Sequence, residues 1–316
     1  MVSRWLRWVL AVVATATVAV VLLAWSAGLG LAAALALGAL PCLLINSAVL
    51  AVTYAYARRY AYRPPPALAA SGWRAGQAVA LEWLATLVLF AVIQPFERLW
   101  MGRDRAGGGS GAPPLLLIHG YLCNRGVWWW LRRGLRAQGR AVATVDLEPP
   151  LGGIDGYVAV LDARIRALLA ETGAAQVVLV GHSMGGLAAR AYLQRHGGDR
   201  VAKLITLGTP HHGSRLARLG LGRNAREMAP ESAWIRELAK TAPPVPVLSV
   251  WSLRDNYVAP QDSSRLAGAE EVVLPTIGHL AMAFSPRILG ILLEAAAAPP
   301  DPAKARGETG VRTRHG

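Results

Sequence analysis

The sequence predicts a mostly parallel α/β sheet with helices on both faces, preceded by a pair of apolar helices. Three observations lead there. Six short apolar or β-branched runs alternate with helical patterns after residue 113, which is the signature of strands joined by helical crossovers. One of those runs passes through a Gly-x-Ser-x-Gly turn into a helical pattern. Before them, no Asp, Glu, Lys or Arg occurs between Arg7 and Arg58, whereas charge density from about residue 97 onward is that of an ordinary globular protein. The first third and the remainder are built for different solvents.

A chain of 316 residues holds two average domains or one large domain with an appendage, and this uneven composition selects the second. The net charge of +14 comes almost entirely from Arg spread thinly along the chain. A nucleic-acid binder concentrates its basic residues in a stripe or an aromatic-interleaved face, so nucleic acid is not an expected partner. Part of the excess has a local use, because Arg4, Arg7, Arg58, Arg59, Arg63 and Arg74 flank the apolar segments, where positive charge holds loops on the cytoplasmic side. The two cysteines, Cys42 in an apolar segment and Cys123 in a later loop, form no disulfide framework, and there is no zinc pattern. No metal or other cofactor is expected.

Residues 8 to 25 form an uncharged run long enough to cross about 30 Å of hydrocarbon as one helix. A cleavable signal peptide would stop sooner, after roughly 7 to 15 apolar residues. Gly28 and Gly30 interrupt the run, and residues 31 to 52 supply a second one containing Pro41, Asn46 and Ser47. A transmembrane helical hairpin over 1–63 follows, its small polar residues packing helix on helix and both ends held in the cytoplasm by the flanking arginines. Residues 78 to 93 are apolar but short and carry Glu82. They are expected to lie in the membrane interface or on the soluble domain, with Trp83 and Trp100 as headgroup anchors, and with a Gly/Pro linker they make up residues 64–112. Were that segment to span, the soluble domain would face the other side. The expected location is the bacterial inner membrane, with the soluble domain on the cytoplasmic face.

Strands are expected in LLLIHG (115–120), AVATVDL (141–147), VVLVGHS (177–183), KLITLGT (203–209), VPVLSVWS (245–252) and EVVLP (271–275), within a domain spanning 113–298. Open sheets of this kind carry their sites beyond the carboxyl ends of the strands. Residues 299–316 are polar and aperiodic and read as a disordered tail.

The strongest chemical signal is Gly181-His182-Ser183-Met184-Gly185-Gly186, directly after a strand and directly before a helix. A Ser at the tip of so sharp a turn sits in strained backbone, and small residues two before and two after it relieve the crowding. A Ser hydroxyl needs a base, and the base needs an acid to orient it, in the chain order Ser, acid, His. Asp255 stands just beyond the strand PVLSVWS; Asp262 is a rival seven residues on. His279 follows the next strand, and no other His lies between it and the tail; His211 and His212, in Thr-Pro-His-His-Gly, are alternatives that precede the acid. An oxyanion hole would use the backbone N–H of Met184 and one from the loop His119-Gly120-Tyr121-Leu122, with Tyr121 the best position.

IHGY (118–121), GHSMGG (181–186), LGTPHHG (207–213), the Asp-x-x-Val-x-Pro at Asp255 and Gly278-His279 together resemble bacterial lipases and esterases of the α/β-hydrolase superfamily, over roughly residues 113 to 295. The resemblance implies an α/β-hydrolase fold and hydrolysis of carboxylic esters, often lipid esters, through an acyl-enzyme on Ser183. Residues 214 to 244 form a long connection with an amphipathic pattern, either a cap over the site or plain helix packing. Leu122, Trp128, His211, Leu216 and Leu219 are the expected pocket residues, and the bilayer and a lipid-like ester the expected partners. A dehalogenase or epoxide hydrolase on this fold would need Asp at position 183. Two or three helices without paired intramembrane charges are too few for a transporter, and a catalytically inactive binding or scaffold module is the remaining alternative.

Overall fold

The computed structural model describes residues 1–65, 72–107 and 111–297. The expected tail, and residues 108–110 of the Gly/Pro linker, lie outside the described residues. All six expected strands form: β1 (Leu115–Ile118), β2 (Val142–Val145), β3 (Val177–His182), β4 (Val201–Leu207), β5 (Val247–Ser252) and β6 (Glu270–Leu274). They make one sheet in the order β2-β1-β3-β4-β5-β6, every neighbouring pair parallel. Five of the runs read from sequence extend one or two residues past their strand, because the residues ending them already belong to the loops at the carboxyl ends of the sheet.

Near-continuous burial along the strands follows from covering both faces. Alternate residues feed the two sides. Leu116, Ile118, Leu179 and Leu204 pack with Leu161 and Ile165 of α6 (Tyr157–Thr172) and Leu187 and Tyr192 of α7 (Met184–His196). Leu115, Leu117, Val178, Val180 and Ile205 pack on the other face with Leu131 and Leu135 of α5 (Trp129–Ala137) and Ile288 and Leu292 of α10 (Pro286–Ala297). The chain runs outward from β1 to β2 and then returns across β1 to β3, which creates a crevice at the carboxyl ends of β1 and β3.

Ahead of the sheet, α1 (Val2–Ser26) and α2 (Leu31–Arg59) form an antiparallel hairpin whose turn contains Gly28 at φ +87°. The helices approach closely at Gly38, where a Cβ would lie 2.5 Å from Val21 Cγ2, and the Thr17 hydroxyl donates to the Gly38 carbonyl at 3.1 Å. α3 (Gly72–Leu87) continues through a π-helical turn (Val88–Ile93), followed by the short α4 (Glu97–Met101). It starts earlier than the apolar pattern suggested, since Arg74 and Gln77 are exposed and do not interrupt it. Among the described residues, three helices are thus long and apolar enough to cross a membrane by length and composition: Val2–Ser26, Leu31–Arg59 and Gly72–Ile93, with mean hydropathy of 2.4, 2.2 and 1.8.

The third helix lies differently from the first two. Trp83 Nε1 donates to Ser47 Oγ at 3.0 Å, Asn46 Nδ2 donates to the Trp83 carbonyl at 3.1 Å, and Arg7 donates to the Pro95 carbonyl at 2.9 Å. Thr17 faces Gly38 in the antiparallel hairpin, so Arg7 and the Asn46–Ser47 pair are at about the same level. Residues 83 to 95 span roughly 18 Å of helix at 1.5 Å per residue, yet both ends meet the hairpin at that one level. α3 therefore crosses the hairpin instead of running beside it. Its inner face, Ala85, Leu89 and Ile93, joins the core under the sheet.

The open end of the hairpin docks on the α/β domain. Asn124 donates to Ser3 Oγ at 3.0 Å, the Met1 amine pairs with Glu148, and Arg215 stacks over Tyr60 at 4.8 Å. Tyr62 donates its N–H to Gln261 at 3.0 Å and meets Trp251 edge-on. Between β4 and β5 the long connection folds as a 3-10 turn (Arg215–Leu219), α8 (Gly222–Glu227) and α9 (Ala233–Ala239).

Candidate active site

Ser183 is the single residue joining β3 to α7, and it sits at φ 56°, ψ −125°, a conformation that costs a non-glycine residue on the order of 1–3 kcal/mol. Its N–H donates to the Leu207 carbonyl at 2.9 Å and its carbonyl accepts from Gly186 at 3.1 Å, so the strain is held from both sides. The glycines have a steric reason. A Cβ at Gly181 would come within 2.5 Å of the Gly186 backbone, and one at Gly185 within 2.2 Å of the Ile118 carbonyl oxygen. Gly120, two residues past β1, passes Ser183 so closely that a Cβ there would lie 2.9 Å from Ser183 Cβ. The turn that follows closes with Cys123 donating to the Gly120 carbonyl at 3.3 Å and leaves Leu122 at φ 52°.

Asp255 and His279 leave the carboxyl ends of β5 and β6 and meet as a buried pair. Asp255 Oδ2 is 2.7 Å from His279 Nδ1, while Oδ1 accepts the N–H groups of Tyr257 and Val258 at 2.8 and 2.9 Å. Asp262, the rival acid, does not contact His279. Gly208, the residue after β4, adopts φ +54° beside this pair, where a Cβ would lie 2.9 Å from Asp255 Oδ2 and 3.1 Å from His279 Nδ1. Because Leu207 accepts the Ser183 N–H, the end of β4 abuts both the serine turn and the Asp-His pair.

Burial alone would lower the pKa of His279, but the charge and hydrogen bond of Asp255, with help from Glu82, raise it above the ordinary value. His182 lies against it, ring centroids 4.5 Å apart, with Nε2 donating to the His279 carbonyl at 3.1 Å; burial and the neighbouring His279 hold His182 well below the ordinary value, hence neutral. Burial pushes the Cys123 thiol up to about 12, which leaves it inert as a thiolate.

The remaining expected residues fall into two groups. Met184 starts α7 with its side chain in the core, so its backbone N–H stands at a helix N-terminus. Tyr121 sends its hydroxyl to the Leu221 carbonyl at 2.7 Å and accepts the Leu221 N–H at 2.8 Å, tying the serine-side loop to the long connection. Leu122, Leu219 and Leu221 are exposed, and Leu216 is half-buried. Trp128 and His211 depart from the expectation that they line a pocket. Trp128 is 1 % exposed, packed in the core with its ring edge-on to His182, and His211 is 1 % exposed between Arg190 and Thr206. Trp128 was read from its place after the oxyanion loop and His211 from its place after a strand, neither of which reveals that the side chain turns inward.

Sequence reasoning missed the residues that hold His279 from behind. Glu82 of α3 accepts the N–H groups of Leu280 and Ala281 at 2.9 and 2.8 Å, and Asn256 bridges the His279 N–H, at 3.4 Å, to Thr53 of α2, at 2.9 Å. A lone carboxylate in an apolar stretch was the available signal; its partners are nearly 200 residues away.

Comparison with known proteins agrees with this geometry. Residues 113–224 match the family model described as the alpha/beta hydrolase fold. Over 112 residues the chain is 34 % identical to triacylglycerol lipases of Pseudarthrobacter phenanthrenivorans and Burkholderia plantarii, an alignment covering 33 % of this chain and 35 % and 31 % of those proteins. The chain thus spans about a third of the length of the curated relatives it matches. Among solved structures it resembles mature Bacillus licheniformis lipase BlEst2, with a TM-score of 0.54 and 18 % identity over 62 % of this chain and 96 % of that one. It likewise resembles Aspergillus fumigatus lipase B, with a TM-score of 0.56 and 20 % identity over 64 % of this chain and 57 % of that one. The chain carries the α/β-hydrolase fold, and within it is similar to bacterial lipases and esterases.

Proposed function

We propose that this chain is a membrane-anchored serine hydrolase that cleaves carboxylic esters, with Ser183, His279 and Asp255 as its triad. The observation that carries the reading is the buried 2.7 Å pair of His279 and Asp255 beside a strained serine turn. In this reading Asp255 fixes the tautomer, leaving Nε2 of His279 free to take the Ser183 proton as Oγ attacks the ester carbonyl. The oxyanion is met by the backbone N–H groups of Met184 and Tyr121, each contributing about 3 kcal/mol. His279 then protonates the leaving alcohol, and water, activated by the same imidazole, releases the acid and restores the serine.

Lipid-like esters are the favoured substrates. The exposed Leu122, Leu219 and Leu221 surround the Tyr121 latch and present an apolar rim, and the relatives above are named triacylglycerol lipases. The hairpin α1–α2 is the anchor, and α3 lies in the plane of the interface. Its crossing geometry supports this, as does its outward row of Trp73, Leu81, Leu84 and Val92 opposite the face packed on the domain. With α3 in the plane, the arginines at the hairpin's open end favour a catalytic domain on the cytoplasmic face.

The test is hydrolysis of p-nitrophenyl esters of increasing acyl length by the purified full chain in detergent, with Ser183→Ala alongside. Loss of activity and of fluorophosphonate labelling in the variant supports the serine mechanism, and the chain-length profile separates esterase from lipase. No activity and no labelling of the unaltered chain would instead favour a binding module.

A further inference from the structure

We propose that Glu82 is a positioning residue for His279, so that an apolar helix of the membrane module, and not the α/β domain alone, holds the base in place. The inference rests on the triad reading above and extends it.

Glu82 is fully buried, an expensive place for a carboxylate unless it is well bonded. Its two oxygens are aimed at one object, the start of the 3-10 turn Leu280–Phe284 that directly follows His279. Oε1 accepts Leu280 N–H at 2.9 Å and Oε2 accepts Ala281 N–H at 2.8 Å. These N–H groups belong to the first turn of a helical segment, where no intrahelical acceptor is available, so the carboxylate acts as a cap supplied from a distant helix. The approach is close enough to require glycine on the other side: a Cβ at Gly278 would lie 2.4 Å from Glu82 Oε2.

His279 is thereby gripped along its whole backbone. Glu82 holds the two peptides after it, His182 holds its carbonyl, Asn256 meets its N–H, and Asp255 holds the ring. Two of these supports trace to the membrane module: Glu82 on α3, and Thr53 of α2 behind Asn256. The α3 backbone that presents Glu82 is fixed in turn by Trp83, bonded to Asn46 and Ser47 of α2. A shift of α3 against the hairpin would therefore move the base relative to Ser183, and a misplacement of about 1 Å can cost up to 100-fold in rate.

The carboxylate also bears on charge. The titratable groups around Glu82 are His279 and Asp255 from the strand ends, Tyr54 from α2 and Tyr257, with Arg254 beyond Tyr54. Burial raises the pKa of the Glu82 carboxyl itself to about 7 against the pull of its two N–H partners, and where it is ionised its negative charge favours the imidazolium that His279 becomes during the reaction. Removing it lowers the pKa of His279, so the pH below which activity falls moves down.

The experiment compares the full chain with Glu82→Gln and Glu82→Ala in detergent micelles. It follows kcat and KM for p-nitrophenyl butyrate from pH 5 to 9, with Ser183→Ala as the reference for the site. The expected result is a 10- to 100-fold fall in kcat for Glu82→Ala at nearly constant KM, a smaller fall for the isosteric Glu82→Gln, and an acid limb displaced to lower pH in both. An unchanged kcat with an unmoved acid limb overturns the proposal while leaving the triad standing. If Glu82→Ala fails to fold, Glu82→Gln decides alone, since an unmoved limb there reduces Glu82 to a packing role. Full activity in Ser183→Ala would remove the triad reading and this inference with it.

Discussion

The strands and the first two helices are built from the same residues, chiefly Leu, Val and Ala, yet they end in opposite surroundings. Leu115 to Ile118 are completely buried between two layers of helices. In α1 and α2 only 6 % and 17 % of the apolar window is buried, leaving Val12, Leu22, Leu35 and Leu44 exposed. Apolar content thus marks what must leave water, while the partner that covers it, protein or lipid, is decided by periodicity and length. α3 is intermediate at 33 %, with one face in the protein core and the other turned outward. That two-sidedness lets a helix of apolar composition carry a carboxylate to the turn after His279.

The comparison can be broken or sharpened by experiment. The largest effect belongs to the site: Ser183→Ala should lower kcat by about 10⁴- to 10⁶-fold without changing thermal unfolding, measured by ester turnover and calorimetry. Asp255→Asn should cost about 10⁴-fold. Because Asp255 raises the pKa of His279 and the base must be neutral to act, the unaltered chain should lose kcat/KM as pH falls through a value above that of an ordinary histidine; Asp255→Asn should move that limb downward.

Next comes the contrast itself. Leu117→Ala, inside the sheet, should destabilise the domain by about 2–5 kcal/mol in denaturant titrations, in detergent and in vesicles alike. Val12→Arg, on the exposed face of α1, should leave domain unfolding unchanged while adding about 2.5–3.5 kcal/mol to membrane insertion, read as the fraction of protein in the membrane pellet. Equal effects of the two on domain unfolding would mean that α1 is a protein-facing helix. The smallest change is expected for Tyr121→Phe, which loses the latch to Leu221 and should shift activity on long acyl chains by less than about tenfold, equivalent to roughly 1 kcal/mol.

Much of this was legible in advance. All six strands were readable because buried parallel strands are continuous apolar runs, and Ser183 because a strand, a small-residue turn and a helix leave few other geometries. Asp255 and His279 followed from chain order, and the structure brings them together. Trp128 and His211 were misplaced because chain position says which loop a residue occupies but not which way its side chain turns. α3 was legible as apolar and anomalous, though not as a helix laid across the hairpin.

By itself the sequence determined the local and periodic features: the strand pattern, the hairpin with its charge-free interior and arginine flanks, and the glycines around Ser183. These depend on neighbours a few residues apart, whose spacing is written in the chain. Only the tertiary structure decided what rests on long-range meeting: Asp255 against His279, Tyr121 against Leu221, and Glu82 against the turn after His279. Such contacts form wherever packing two cores and crossing two helices brings a donor and an acceptor to about 3 Å, and no local pattern encodes that distance.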